Sequence, residues 1–193
     1  MPIQSSLANI LTVQAQEHAE FFNRTIEQCS ADWEKLTTIV CTAIDNKKTI
    51  FFIGNGGSAA TASHMAGELI GRYRSNREPI ASMTIHDAAI TTCIGNDFGY
   101  QEIFARQLKA LTKQGDVVIA LSTSGNSPNI IATAVPIKEN GGILIGITGE
   151  SGGELKNVAD HIIQIPSKNT ARIQEMTDFF LHSMCEVVEQ RNS

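Results

Sequence analysis

Residues 116–127 read DVVIALSTSGNS, and residues 50–59 read IFFIGNGGSA. Each is a short apolar run that stops at glycine, serine and asparagine and then passes into a helix-forming segment. An unbroken apolar run of this length, bounded by turn residues, reads as a strand covered on both faces, and such strands belong to parallel sheets. Further strands are expected at Ile80–Ile85, at ILIGITG (143–149) and at HIIQIP (161–166). Helical patterns separate them: Ser58 to about Arg72, a piece from Asp87, Gln101 to about Lys113, Pro128–Asn140, and Ala171 to about Glu189. A loop is expected at GNDFGY (95–100). Parallel neighbours need crossovers, and the crossing helices cover both faces. The expectation is an α/β fold, a three-layer, doubly wound, five-stranded parallel sheet in a flavodoxin-like arrangement.

Ahead of the first strand, Leu7, Ile10, Leu11, Phe21, Phe22, Ile26, Trp33, Leu36, Ile39, Val40 and Ile44 recur at threes and fours. This predicts two extra N-terminal helices, broken around Cys29–Asp32, over residues 1–46. They exceed what one layer of such a sheet needs and are expected to pack against another subunit. The whole chain, 1–193, reads as one domain: 193 residues with 42% hydrophobic content suffice for one sizeable core.

A net charge of −5 leaves no broad basic surface for a nucleic-acid backbone, Arg72, Arg74 and Arg77 being the nearest thing to a cluster. No direct nucleic-acid contact is expected. Cys29, Cys41, Cys93 and Cys185 form no CxxC pair and read as reduced core residues. No window approaches the roughly 18 apolar residues of a membrane span, and the start MPIQSSLANI has no signal-peptide character. A cytoplasmic protein without membrane contact is expected.

In a doubly wound sheet, ligands settle beyond the carboxyl ends of the strands, where loops enter helix N-termini. Those N-termini suit an anion, and Gly56, Gly57 and Gly125 permit close backbone approach. Ser58, Ser122, Thr123, Ser124 and Ser127 add hydroxyl donors. No lysine followed by serine or threonine closes either glycine run, and GNGGSA fits the dinucleotide fingerprint poorly, so a small phosphorylated metabolite suits the loops better. Taken singly, Ser58 and Ser127 can equally be helix caps.

After the first loop, His64, Glu68 and Arg72 follow at intervals of four, on one helix face, while Ala62, Met65, Ala66, Leu69 and Ile70 can face the core. On the last helix Gln174, Asp178 and His182 repeat the spacing. An exposed His/Glu pair and a satisfied core histidine are the ordinary readings. If the two helices meet, Glu68 and His182 become a carboxylate and an imidazole suited to shuttling protons.

GNGGSA (54–59), HMAGELIGRYR (64–74), IGNDFGYQEIF (94–104), LSTSGNS (121–127) and RIQEM (172–176) together resemble the sugar isomerase (SIS) domain family over nearly the whole chain. Within it the resemblance is to isomerases of seven-carbon sugar phosphates. It implies a homotetramer that converts D-sedoheptulose 7-phosphate to D-glycero-D-manno-heptose 7-phosphate, towards the ADP-heptose of lipopolysaccharide core. It implies phosphate binding by Ser58, Ser122, Ser124 and Ser127, with Asn55, Thr123 and Asp97 lining the sugar site. Gly56, Gly57, Arg72 and Gln174 complete the candidate substrate-binding set. Glu68 would be the catalytic base and His182 its acid partner, and some members are similar in binding zinc through positions matching His64, Glu68, Gln174 and His182. The chain also resembles a non-catalytic tetrameric relative that binds the replication initiator DnaA. ARIQEM is the string it shares with that relative, because the isomerases usually carry aspartate where Ala171 stands; His182 and NDFGY are isomerase features. A sugar-phosphate sensor without chemistry is the third possibility.

Overall fold

The computed structural model describes residues 4–192. Five parallel strands, β1 (Ile50–Gly54), β2 (Ser82–Thr84), β3 (Val117–Leu121), β4 (Ile143–Thr148) and β5 (His161–Gln164), form one sheet in the order β2-β1-β3-β4-β5. This is the flavodoxin-like order, with its topological switch between β1 and β3. The reason is visible strand by strand. β1 and β3 are buried at every position, whereas β5, at an edge, alternates buried and half-buried.

Side chains alternate between two cores, as the twofold period of a strand requires. Ile50, Phe52, Val117, Ile119, Leu121, Ile145 and Ile147 pack against α1 (Gln4–Asp45), α2 (Gly57–Ile70) and α8 (Thr170–Asn192). Phe51, Ile53, Val118, Ala120 and Leu144 pack on the opposite face. That face is covered by α3 (Ala88–Phe98), α4 (Glu102–Leu111), α5 (Pro128–Ile131), α6 (Ala134–Glu139) and α7 (Leu155–Val158). Burying each large apolar side chain contributes roughly 1.5–3 kcal/mol, so the three-layer arrangement is held from both sides.

Several local expectations are corrected. Residues 4–45 form one 42-residue helix, not two. The segment holds no glycine or proline to break it, and Ser30, Ala31 and Asp32 lie on its exposed side. Helix α3 runs through Asn96 and Asp97 to Phe98, so the turn begins only at Gly99 (φ 92). The helix expected over Pro128–Asn140 is split in two, because Pro136 has no N–H to donate to the Ala132 carbonyl. Cys93 is exposed, unlike the other three cysteines, and Ile70 is exposed at the end of α2.

The segment following α2 is tied down by one carboxylate. Glu189 of α8, 6% exposed, accepts hydrogen bonds from the Arg74 and Ser75 backbone N–H groups (3.0 and 2.7 Å) and from the Ser75 hydroxyl (2.9 Å). The Arg74 N–H above all, with those of Ser75 and the Arg77 guanidinium, holds this carboxyl below the usual glutamate range, against the opposing pull of burial. A depressed folded pKa means stability that is complete above the ordinary value of 4.5 and lost as pH falls through the folded value. Comparing Glu189→Gln with the unmodified protein by urea unfolding should therefore show a stability gap at pH 7 that narrows below pH 4.5. A gap independent of pH would show that the carboxylate's charge is not what matters.

Candidate active site

The mouths of β1 and β3 lie side by side at the switch point. At the first, Gly56 takes φ 55 and α2 begins one residue later. At the second, Gly125 takes φ 66, and a Cβ there would stand 2.1 Å from the Gly152 carbonyl oxygen, so the loops after β3 and β4 pack backbone against backbone. The serines are not acting as caps. Neither α2 nor α5 has a side-chain cap bond, although Ser127 occupies the capping position of α5. Instead Ser122 Oγ and Ser127 Oγ lie 3.2 Å apart, with Ser58 and Ser122 buried at the two mouths. Helix α5 has only four residues, so what the second loop offers an anion is hydroxyls rather than a helix dipole. Beside it, Thr123, Ser124, Asn126, Ser151, Lys168 and Thr170 help line a polar cavity of about 370 Å³. A larger cavity, about 450 Å³, sits at the amino-terminal edge of the sheet around Lys48 and Gly115, away from these groups.

His86, just past β2, braces the first mouth. Its Nε2–H donates to the Gly54 carbonyl at 3.0 Å, and its Nδ1 pairs with the Thr84 hydroxyl. Burial pushes its pKa down, more than the Gly54 bond pushes it up, so the ring favours the neutral form this bonding uses.

Helices α2 and α8 run side by side in the same direction and meet rung by rung. A Cβ on Gly57 would stand 2.6 Å from Gln174 Nε2, and the Thr61 hydroxyl donates to Asp178 Oδ1 at 2.8 Å. One turn further the His64 and His182 rings lie 4.9 Å apart, and His64 Nε2 donates to Glu68 Oε1 at 2.9 Å. Ligand atoms of His64, Glu68 and His182 all fall within 4.8 Å of one another. Tyr73 flanks His182 with ring centroids 6.0 Å apart. Glu68 keeps 20% of its side chain exposed, enough to meet a ligand while partly desolvated.

The convergence of Glu68 and His182, which sequence leaves conditional on two helices meeting, is thus present. Other candidates fall elsewhere. Arg72 lies beyond α2, which stops at Ile70, so it leaves the His64/Glu68 stripe and is exposed. Gln174 reaches the N-terminus of α2 and stands eight residues, about 12 Å of helix, before His182. Asp97 is exposed on α3, its Oδ1 accepting from Asn96 Nδ2 at 2.8 Å. The arginine that does touch this stripe is Arg77, unassigned from sequence. Its side chain is 1% exposed and donates to the Glu68 and Leu69 carbonyls (2.7 and 2.8 Å), closing the end of α2 directly behind Glu68. An arginine nine residues beyond its acceptor has no helical spacing to reveal it.

Two imidazoles and a carboxylate in one small volume form a nitrogen and oxygen set of the kind that holds a divalent metal ion with a position left open. The residues therefore fit such an ion, while Gln174, the fourth ligand that resemblance implies, stands at the start of α2.

A switch-point crevice with hydroxyl-rich mouths and a carboxylate–imidazole pair define a small-molecule site of the sugar-phosphate type, and the SIS domain family model matches residues 15–149. The chain belongs to the SIS domain family. Among its relatives are the phosphoheptose isomerase of Aliarcobacter butzleri (strain RM4018), 39% identical over 177 residues (91% of this chain, 94% of that protein), and that of Aneurinibacillus thermoaerophilus, 43% identical over 158 residues (81% and 80%). The solved phosphoheptose isomerase of Neisseria gonorrhoeae superposes with a TM-score of 0.90 at 30% identity, covering 95% of this chain and 99% of that one. A phosphoheptose isomerase from Francisella tularensis gives 0.91 at 28% identity, covering 96% and 98%.

Proposed function

We propose that this chain is a phosphoheptose isomerase that interconverts D-sedoheptulose 7-phosphate and D-glycero-D-manno-heptose 7-phosphate, supplying the heptose of lipopolysaccharide core. The observation that carries the reading is the meeting of Glu68 and His182, from separate helices, alongside the serine-lined mouths of β1 and β3. The relatives named above are all isomerases, and nothing among them supports the DnaA-binding alternative.

The distances suit the substrate. From Gly57 at the start of α2 to His64 is seven residues, about 10 Å of helix. An extended chain from C1 through C7 to phosphorus is eight bonds, also about 10 Å at the reach of extended covalent chains. Ser58, Ser122, Ser124 and Ser127 donate to the phosphate oxygens, with Gly56 and Gly57 allowing backbone approach. Asn55, Thr123, Asp97, Arg72 and Gln174 are the remaining candidate substrate contacts. Glu68 takes a proton from C1, giving an enediol, and its carboxyl, 20% exposed and so open to exchange with water, returns a proton to C2. His182 supplies the proton to O2 as the carbonyl becomes a hydroxyl and removes the one on O1 as the aldehyde forms, so carbon and oxygen protons balance. His64 occupies Glu68 Oε1, which leaves Oε2 for the carbon. Burial of Ser58 and Ser122 keeps those two donors fixed before substrate arrives.

His64, Glu68 and His182 would hold a zinc ion, which when bound supplies Lewis-acid polarisation of the sugar carbonyl. Gln174 can join them only by leaving the start of α2. Elemental analysis of protein purified without chelator should give about one zinc per chain, and His64→Ala should lower it at least tenfold. Equal metal in both proteins would remove His64 from the ligand set.

The assembly proposed is a cytoplasmic homotetramer of single-domain chains, with residues 1–46 at the subunit contacts. Supporting this, Leu7, Ile10, Leu11 and Val13 on the first half of α1 are 58, 57, 73 and 40% exposed, and α3 has no buried residue at all. The functional reading is tested by incubating the protein with sedoheptulose 7-phosphate and following the aldose product. Turnover supports it, and its absence with and without added zinc would overturn it.

A further inference from the structure

Asn55 is the first residue after β1, and its carboxamide is almost fully engaged. Its Nδ2 donates to Asn129 Oδ1 at 2.9 Å, and its Oδ1 accepts from Asn129 Nδ2 at 2.8 Å and from the Tyr100 hydroxyl at 3.0 Å. Both lone pairs of Oδ1 are taken, so one N–H of Nδ2 is all that side chain has left to offer. Asn129 is 1% exposed and is the second residue of α5, just behind Ser127, whereas Tyr100 is 62% exposed and follows the Gly99 turn. Three connections, after β1, after β3 and after α3, are therefore tied at one amide over the switch point.

We propose that Asn129 and Tyr100 are positioning residues that lock Asn55 as a one-proton donor towards an acceptor oxygen of the bound sugar phosphate. In this arrangement Asn55 cannot accept from a sugar hydroxyl. Asn129 also sets the spacing between the glycine loop and the serine loop, since its amide pair spans them directly. A buried, doubly bonded asparagine in such a loop is costly to leave half-satisfied, so its effect reaches the ligand through Asn55 rather than by contact. The ligand's identity rests on the isomerase reading above; the tie itself does not.

The test measures binding and turnover separately. Sedoheptulose 7-phosphate is titrated calorimetrically into Glu68→Gln protein, and inorganic phosphate into the unmodified enzyme, with Tyr100→Phe, Asn129→Asp, Asn55→Ala and Asn55→Ala/Asn129→Asp added in turn. Tyr100→Phe removes one hydrogen bond and should weaken sugar-phosphate binding about threefold. Asn129→Asp removes the donor to Asn55 Oδ1 and should weaken it about tenfold or more, with most of the loss in kcat/KM appearing in KM. If Asn129 acts through Asn55, the double variant binds within about twofold of Asn55→Ala alone. Tyr100→Phe, at an exposed residue, carries the test if Asn129→Asp does not fold. Unmodified affinity in both Tyr100→Phe and Asn129→Asp, or losses that multiply in the double variant, would overturn the proposal, as would failure of either ligand to bind. Should the binding pattern hold while the unmodified enzyme turns over no sedoheptulose 7-phosphate, the isomerase reading fails and the positioning role stands.

Discussion

Glu68→Gln should abolish isomerisation, lowering kcat about 10²–10⁴-fold, while the protein remains folded and its oligomeric state is unchanged. The substitution is close to isosteric, and a glutamine carboxamide oxygen can still accept the 2.9 Å hydrogen bond from His64. What is lost is the basic oxygen that takes the carbon proton. Because the same carboxylate is a candidate metal donor, the comparison belongs at saturating zinc, with metal content measured in both proteins. A variant that retains unmodified kcat would remove Glu68 from the base role, whatever its effect on zinc. The proton at carbon would then have to be carried by an imidazole, His64 or His182, rather than by the carboxylate.

Gly125→Ala should be the most damaging single methyl in the active-site loops. Its φ of 66 lies in the left-handed region, and the new Cβ would meet Gly152 O at 2.1 Å and Gly152 C at 2.5 Å. Those are backbone atoms, so no side-chain rotation relieves the contact. Left-handed strain and overpacking together should cost about 3 kcal/mol. For a chain of this size that is a fall in Tm of about 6–12 °C. Substrate KM should rise as well, because Ser122, Ser124 and Ser127 move with the loop. Gly56→Ala is the matched comparison: φ is 55 there too, but nothing lies within 4 Å of its Cβ. It should cost only about 1 kcal/mol. Equal Tm losses in the two variants would show that left-handed backbone alone, and not the packing of two loops, governs the site.

The strands were legible because burial on both faces leaves a mark in composition: IFFIG and VVIAL hold no polar residue, and each stops at a loop. The edges were less so, since β2 keeps three residues of the six expected. The break expected around Cys29–Asp32 is absent, because Ser30, Ala31 and Asp32 are simply the solvent side of α1, and the glycine inside IGNDF does not stop α3.

In the site, spacing of four could place His64 beside Glu68 because both lie on one helix. It left His182 conditional on α2 and α8 meeting in register; resemblance implied the base and acid roles, and the ladder from Gly57–Gln174 to His64–His182 explains the meeting. The same spacing misled at Arg72, because the helix closes at Ile70 and Gly71 turns away from helical backbone. Asn129 and Tyr100 carried no signal, since asparagine in a serine-rich turn and tyrosine in a glycine turn read as loop residues until the fold brings them to Asn55.

The proton transfer at carbon is most directly tested by running the reaction with sedoheptulose 7-phosphate in deuterated water and following carbon-bound hydrogen by NMR. The unmodified enzyme should form the aldose with solvent deuterium entering at C2, and Glu68→Gln should incorporate none above the uncatalysed background. Deuterium entering at the same rate in both proteins, or no exchange and no product with the unmodified enzyme, would contradict the account.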